Sequence, residues 1–308
     1  MMRSVFLYLS ASNTARRILL RMPFSKRLAA RFIAGESLAQ AINVTHQLNA
    51  KGLTVCLDLL GESVNSEAEA KAITDSYLAL LAGIASEKVE AYASVKLTAL
   101  GLDISEPLCV DHLRQLLACA RDLQRFVRID MEGSAYTERT LRVFRVLHAE
   151  FDNLGIVIQS YLRRSEADMH QLAQEGANVR LVKGAYKEPE NIAFPQKADV
   201  DASFVRLIEL FLSDEARTAG ARLAIATHDD AMIAAACRYA DAHHIARTDF
   251  EFQMLYGVRG ARLEALVKEG YLARVYVPYG TTWYPYFMRR LAERPANVWF
   301  IAKNFFRG

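Results

Sequence analysis

Beyond Gly52 the chain alternates short apolar runs, rich in Val and Ile, with longer stretches whose apolar residues recur at helical spacing. The runs are LTVCLDLL (53–60), VEAYASVKL (89–97), FVRIDM (126–131), GIVIQSY (155–161), NVRLVKG (178–184), RLAIATH (222–228), FEFQML (250–255) and ARVYVPYG (273–280). Each is short enough for a strand. The intervening segments, among them 66–85, 110–124, 137–150, 201–218, 229–244 and 261–270, carry amphipathic helix patterns. Strand–helix pairs of about 30 residues, repeated without a break in composition, predict a distorted TIM-type (β/α)8 barrel rather than a doubly wound sheet. The polar stretch from Lys187 to Val200, with Pro189 and Pro195, predicts a long loop after the fifth strand, of the kind that covers a cofactor. After the eighth strand, Pro278 and Gly280 turn the chain into a last helix. Its aromatics precede Arg289 and Arg290, with Glu293 spaced to hold one of them.

Composition adds an arm. Arg3, Arg16, Arg17, Arg21, Lys26, Arg27 and Arg31 all precede the first acidic residue, Glu36, and alternate with apolar residues. Residues 1–50 are therefore expected to form a basic helical arm and residues 51–308 the barrel. The arm reads as helices packed on the barrel, with a membrane-surface or targeting segment as the alternative. No run of some eighteen apolar residues is present, so membrane contact would be peripheral, on the inner face of the cell membrane. Net charge is +3, too small to argue for nucleic acid. Cys56, Cys109, Cys119 and Cys237 stand far apart, which fits packing residues in a reduced, cytoplasmic compartment.

Chemistry concentrates where the strands end. Reacting groups of such barrels sit at the carboxyl ends of the strands. Here those ends bring Asp58 and Glu62, Lys96, Asp130 and Glu132, Gln159, Arg180 with Lys183 and Tyr186, His228, Gln253, and Tyr276 with Tyr279. Singly each has an ordinary explanation: Lys96 snorkels, Asp130 caps a helix, His228 starts one. Together they converge on one rim. No His or Cys pair has metal-ligand spacing, so no metal is expected. Lys96, Arg180, Lys183, Arg289 and Arg290 outnumber the acids and suit an anionic ligand, while Tyr276, Tyr279 and Tyr286 offer apolar walls. A small organic acid with an apolar body fits. Nucleotide-loop and nucleophile-elbow motifs are absent, so a bound cofactor is the economical carrier of the chemistry. A lyase using Lys96 as a Schiff-base amine and a non-catalytic binding protein are the other readings.

The stretch Tyr286 to Asn297, Tyr-x-x-Arg-Arg-Leu-x-Glu-Arg-Pro-x-Asn, resembles the C-terminal signature of the proline dehydrogenase family. So do LDLLGE (57–62), SVKLTALGLD (94–103), RIDMEGS (128–134), VIQSYLRRS (157–165), VRLVKGAYKEP (179–189), IATHDD (225–230) and FEFQMLYGVRG (250–260). The resemblance implies a barrel holding FAD non-covalently, with the last helix over its mouth. It implies oxidation of L-proline to Δ1-pyrroline-5-carboxylate, with electrons passed to a membrane quinone. Because the match includes no aldehyde dehydrogenase module, a separate pyrroline-5-carboxylate dehydrogenase is expected downstream. By the same resemblance Arg289, Arg290 and Lys96 bind the substrate carboxylate, and Tyr276, Tyr286 and Leu255 enclose its ring. Asp130 and Arg180 are the catalytic pair, Arg180 also approaching the flavin. Met131, Gln159, Lys183, Gly184, Ala185, Thr227 and His228 bind the cofactor, and Glu62 closes an ion pair over bound substrate. Tyr276 is associated with preference for proline over hydroxyproline.

Overall fold

The computed structural model describes residues 29–61 and 63–293, without the side chains of 291–293. Most of the basic arm, Glu62, the Glu293 side chain and the tail after it lie outside the described residues.

Eight parallel strands close into a barrel in sequence order. They are β1 (Thr54–Leu59), β2 (Ala91–Val95), β3 (Val127–Ile129), β4 (Leu154–Gln159), β5 (Asn178–Val182), β6 (Arg222–Ala226), β7 (Phe250–Leu255) and β8 (Leu272–Tyr279). Closure comes from β8 pairing with β1, Thr54 opposite Arg274 through Leu59 opposite Tyr279. Seven of the eight strands end one or two residues sooner than their apolar runs. Lys96, Asp130 and His228 accordingly lie just past the strand ends, on the loops of the rim.

Helix α1 (Leu38–Asn49) precedes the barrel, opened by a capping box between Ser37 and Gln40. Its buried Ala41 and Ile42 join the main core. Around the barrel run α2 (Glu67–Ser86), α3 (Glu106–Asp122), α4 (Ser134–His148), α5 (Ser165–Gln174), α6 (Lys197–Phe211), α7 (Asp214–Thr218), α8 (Asp230–Ala242) and α9 (Gly260–Lys268). The pattern at 201–218, read as one helix, is two. Ser213 breaks it, its hydroxyl accepting from the Ala216 amide as the cap of α7. The loop after β5 ends at Gln196, because α6 begins at Lys197.

Strand alternation sorts the side chains into two environments. Val55 and Leu57 of β1, Val127 and Ile129 of β3, and Val179 and Leu181 of β5 pack outward in the core shared with the helices. The intervening positions point into the barrel, and they are polar to an unusual degree. At the amino-terminal end, buried Arg128 donates to Tyr92 Oη at 3.2 Å and Asn178 Oδ1 at 2.7 Å, and Arg274 pairs with Glu251 at 3.0 Å. That network closes the floor. Two residues further along β3 and β8, on the same face, stand Asp130 and Tyr276 at the open end.

The last helix, α10 (Tyr284–Glu293), follows a turn at Gly280, whose φ of +119° favours glycine. Trp283, Tyr284, Phe287 and Met288 pack with Ala29, Phe32, Ile33 and Leu60 in a second cluster, separate from the barrel core. Phe32 and Phe287 rings lie 6.4 Å apart, and Trp283 Nε1 donates to Glu36 at 3.1 Å. The segment 29–36 thus brackets α10.

Candidate active site

At the carboxyl ends of the strands lies a cavity of about 360 Å³. Asp58, Lys96, Asp130, Gln159, Arg180 and Tyr276 line it from the barrel; Tyr286, Arg289 and Arg290 line it from α10. Met131, Glu132, Lys183, Gly184, Ala185, Tyr186, Thr227, His228 and Leu255 complete its rim. Apart from Glu62, which lies outside the described residues, and Tyr279, every residue expected at the site from the sequence is brought to this one space. Tyr279 is not: three positions beyond Tyr276 it faces the other way and packs in the core with the helices.

Asp130 is the centre of the polar arrangement. It is 8% exposed and accepts from Ser94 Oγ at 2.5 Å, Tyr276 Oη at 2.7 Å and Arg180 Nη2, with Lys96 Nζ at 3.5 Å. Burial alone would raise its carboxyl pKa. The charges of Arg180 and Lys96 and the hydrogen bonds from Ser94 and Tyr276 outweigh burial and hold it below the ordinary value. Asp58, 1% exposed, moves the other way. Its burial outweighs the nearby Lys96, 2.7 Å away, and the charge of Asp130 adds to the rise. Arg180 is kept strongly cationic: burial opposes its charge, but Asp130 beside it more than compensates. Its guanidinium lies 4.9 Å from the Tyr276 ring centre.

The rim loops are tied to one another. Gln159 at the end of β4 donates from Nε2 to the carbonyls of Met131 and Glu132 at 3.3 and 3.4 Å, which fixes the orientation of its amide. Its buried Oε1 then has no hydrogen-bond partner among the described residues. Thr98 holds Glu132 through its hydroxyl at 2.6 Å. Lys183 reaches Asp201 at 2.5 Å and Asp229 at 2.8 Å. His228 Nε2 accepts from the Leu255 amide at 3.0 Å, so its other ring nitrogen carries the proton whenever the ring is neutral. Gly184 has φ +111°, and a Cβ there would fall 2.3 Å from the Tyr161 ring. Arg290 is 9% exposed, its guanidinium 5.0 Å from the Tyr286 ring one turn earlier.

Asp58 appeared in the sequence as a rim residue without a role; here it pairs with Lys96 at 2.7 Å, nearer than Asp130 at 3.5 Å. Ser94 was not singled out, although its position two residues before Lys96 places it on the inward face. Among the described residues no group of three His, Cys, Asp or Glu side chains is placed to hold a metal ion, and no helix is long and apolar enough to cross a membrane.

This arrangement can be set beside known proteins. The family described as "Proline dehydrogenase" matches residues 41–303. The chain is 44% identical over 305 residues to proline dehydrogenase 1 of Bacillus subtilis (strain 168), covering 99% of each chain. It is 40% identical over 286 residues to the proline dehydrogenase of Deinococcus radiodurans, covering 91% of each. A crystal structure of proline utilization A from Bdellovibrio bacteriovorus, inactivated by N-propargylglycine, superposes with a TM-score of 0.82 at 30% identity. That match takes in 95% of this chain but 36% of the larger protein. The chain belongs to the proline dehydrogenase family, a family of oxidoreductases.

Proposed function

We propose that this protein oxidises L-proline to Δ1-pyrroline-5-carboxylate with non-covalently bound FAD, passing the electrons to a membrane quinone. The observation that carries the reading is a cavity with a carboxylate-centred cation cluster on the barrel side and two arginines on the helix opposite. The residues fit a flavin. Gln159 Oε1 is a buried acceptor awaiting a donor such as a ring imide, and Met131, Val157, Val182 and Ala226 give apolar surface to a flat ring. Gly184 lets the backbone lie close. FAD, when bound, accepts the hydride that leaves proline as its C–N bond becomes C=N.

The chain's own residues would do the rest. Arg289 and Arg290 fork the substrate carboxylate, with Lys96 adding charge from below. Tyr276, Tyr286 and Leu255 confine the pyrrolidine ring, and the Tyr276 hydroxyl stays anchored to Asp130. Asp130 holds Arg180 rigidly, so positive charge stands ready where negative charge develops on the acceptor. Met131, Lys183, Gly184 and Ala185 would flank the ring, while Thr227 and His228 meet the ribityl-phosphate portion. Glu62 is proposed to close an ion pair over bound substrate.

The Lys96 lyase reading is the weaker one. An ammonium 2.7 Å from Asp58 and 3.5 Å from Asp130 is a poor nucleophile until both contacts are broken. Alignment along nearly the whole length of monofunctional relatives supports a separate dehydrogenase for the product. Peripheral contact of the basic arm with the inner face of the membrane remains part of the proposal, since it brings the quinone near. Turnover of L-proline with a soluble quinone, releasing pyrroline-5-carboxylate, is the expected result. Borohydride trapping of substrate on Lys96, without quinone reduction, would contradict it.

A further inference from the structure

The loop that follows β5 supplies Lys183 to Tyr186 to the cavity, and two residues later comes Glu188. Its carboxylate leaves its own loop. It accepts from the Ser134 amide at 2.8 Å and from the Ser134 hydroxyl at 2.5 Å. Ser134 is the first residue of α4, and the N-cap position before it is Gly133, which has no side chain to satisfy that helix end. A loop 54 residues away in sequence therefore provides the cap. The helix dipole favours a carboxylate there as well.

What this joins is specific. The chain just before Ser134 is Asp130, Met131 and Glu132, the other loop of the cavity wall. The two ends of the Lys183–Gln196 loop are held elsewhere. Tyr161 N donates to Lys183 O at 3.0 Å, Phe194 N to Tyr161 O at 2.8 Å, and Arg163 Nε to Glu190 O at 2.9 Å. Glu188 secures the middle, across the end of β4, to the loop of the catalytic Asp130.

Resting on the flavin reading above, we propose that Glu188 is a positioning residue for the cofactor cavity: by capping α4 from the loop after β5, it locks the β3 and β5 loops of the cavity at one spacing. The inference concerns retention and register of the flavin, not the chemistry.

The test uses purified flavin-loaded protein and compares flavin dissociation, hydrogen exchange and melting temperature. Glu188→Ala should raise the flavin dissociation constant by about tenfold, the order expected for a lost charge-assisted hydrogen-bond pair. Backbone amides at 134–136 and 185–188 should exchange faster together. A carboxylate supplied locally separates capping from tying. Gly133 has φ −58°, and a Cβ there meets only the Glu188 oxygen, at 3.6 Å, so Gly133→Asp fits once Glu188 is Ala. The double variant should regain the melting temperature yet keep the weakened flavin binding and fast exchange at 185–188. Recovery of all three readouts would reduce Glu188 to an ordinary cap and overturn the proposal, as would a Glu188→Ala protein with parental flavin binding and exchange. A parent protein that binds no flavin would instead overturn the function on which the inference rests.

Discussion

The two walls of the cavity hold their cations by different means. On the barrel side, Arg180 and Lys96 are buried against Asp130 and Asp58, which stand at the carboxyl ends of β3 and β1 in a closed sheet. On the opposite side, Arg289 and Arg290 ride on α10, whose apolar face rests on Phe32, Ile33 and Leu60 outside the barrel core. Electrostatics fixes the first wall and cannot be altered without affecting the fold. Packing holds the second as a separable body. The two walls therefore answer to different substitutions: losing a carboxylate unsettles the barrel-side cations, and losing an apolar contact of the bracket unsettles the helix-borne ones.

Removing the barrel-side carboxylate should give the largest effect. Asp130→Ala leaves Arg180 and Lys96 buried without their shared partner, at a cost of about 3–5 kcal/mol. Denaturant unfolding should show that loss along with loss of activity; an unchanged midpoint would mean the cluster is not what fixes this wall. Phe32→Ala strikes the bracket instead, costing about 3 kcal/mol if the void persists. It should raise KM for proline while flavin content stays parental. Equal loss of flavin would erase the distinction between the walls.

Arg289→Met should spare stability and raise KM by about tenfold or more, as expected for a lost charge-assisted pair with a carboxylate. Normal steady-state kinetics would remove Arg289 from the substrate. The smallest effect concerns pH. Asp229 is drawn down to about 2, first by its hydrogen bond from Lys183, with Lys197 adding to the shift. Its folded pKa lies below the ordinary value of about 3.9, so its contribution is present above that and fades as pH falls toward about 2. The melting-temperature gap between parent and Asp229→Asn should therefore shrink through that window, and a gap independent of pH would contradict the ion pairs.

Much of this was legible in the chain. Short apolar runs, most of them carrying Val or Ile, mark all eight strands because both faces of a covered parallel strand are buried. Counting in twos from Lys96 and Asp130 also reaches Ser94 and Arg128, so the polar interior has a sequence signal that the apolar runs conceal. The same count shows why Tyr279, an odd number of positions from Tyr276, leaves the mouth. Periodicity cannot show contacts made between loops. Glu188 reads only as a polar loop residue until the fold brings it to Ser134, and Phe32 reads as part of a basic arm until it meets Phe287. The direction of the Asp58 shift is equally hidden, because it follows from burial rather than from neighbours in the chain.

The most direct test of the central claim is an anaerobic L-proline titration of parent and Arg290→Met proteins, followed by absorbance between about 300 and 550 nm, where oxidised flavins absorb. Flavin bands are expected in both, bleached by proline in the parent and only at much higher proline in the variant. A colourless parent that takes up no FAD, or a variant that loses flavin and substrate together, would contradict it.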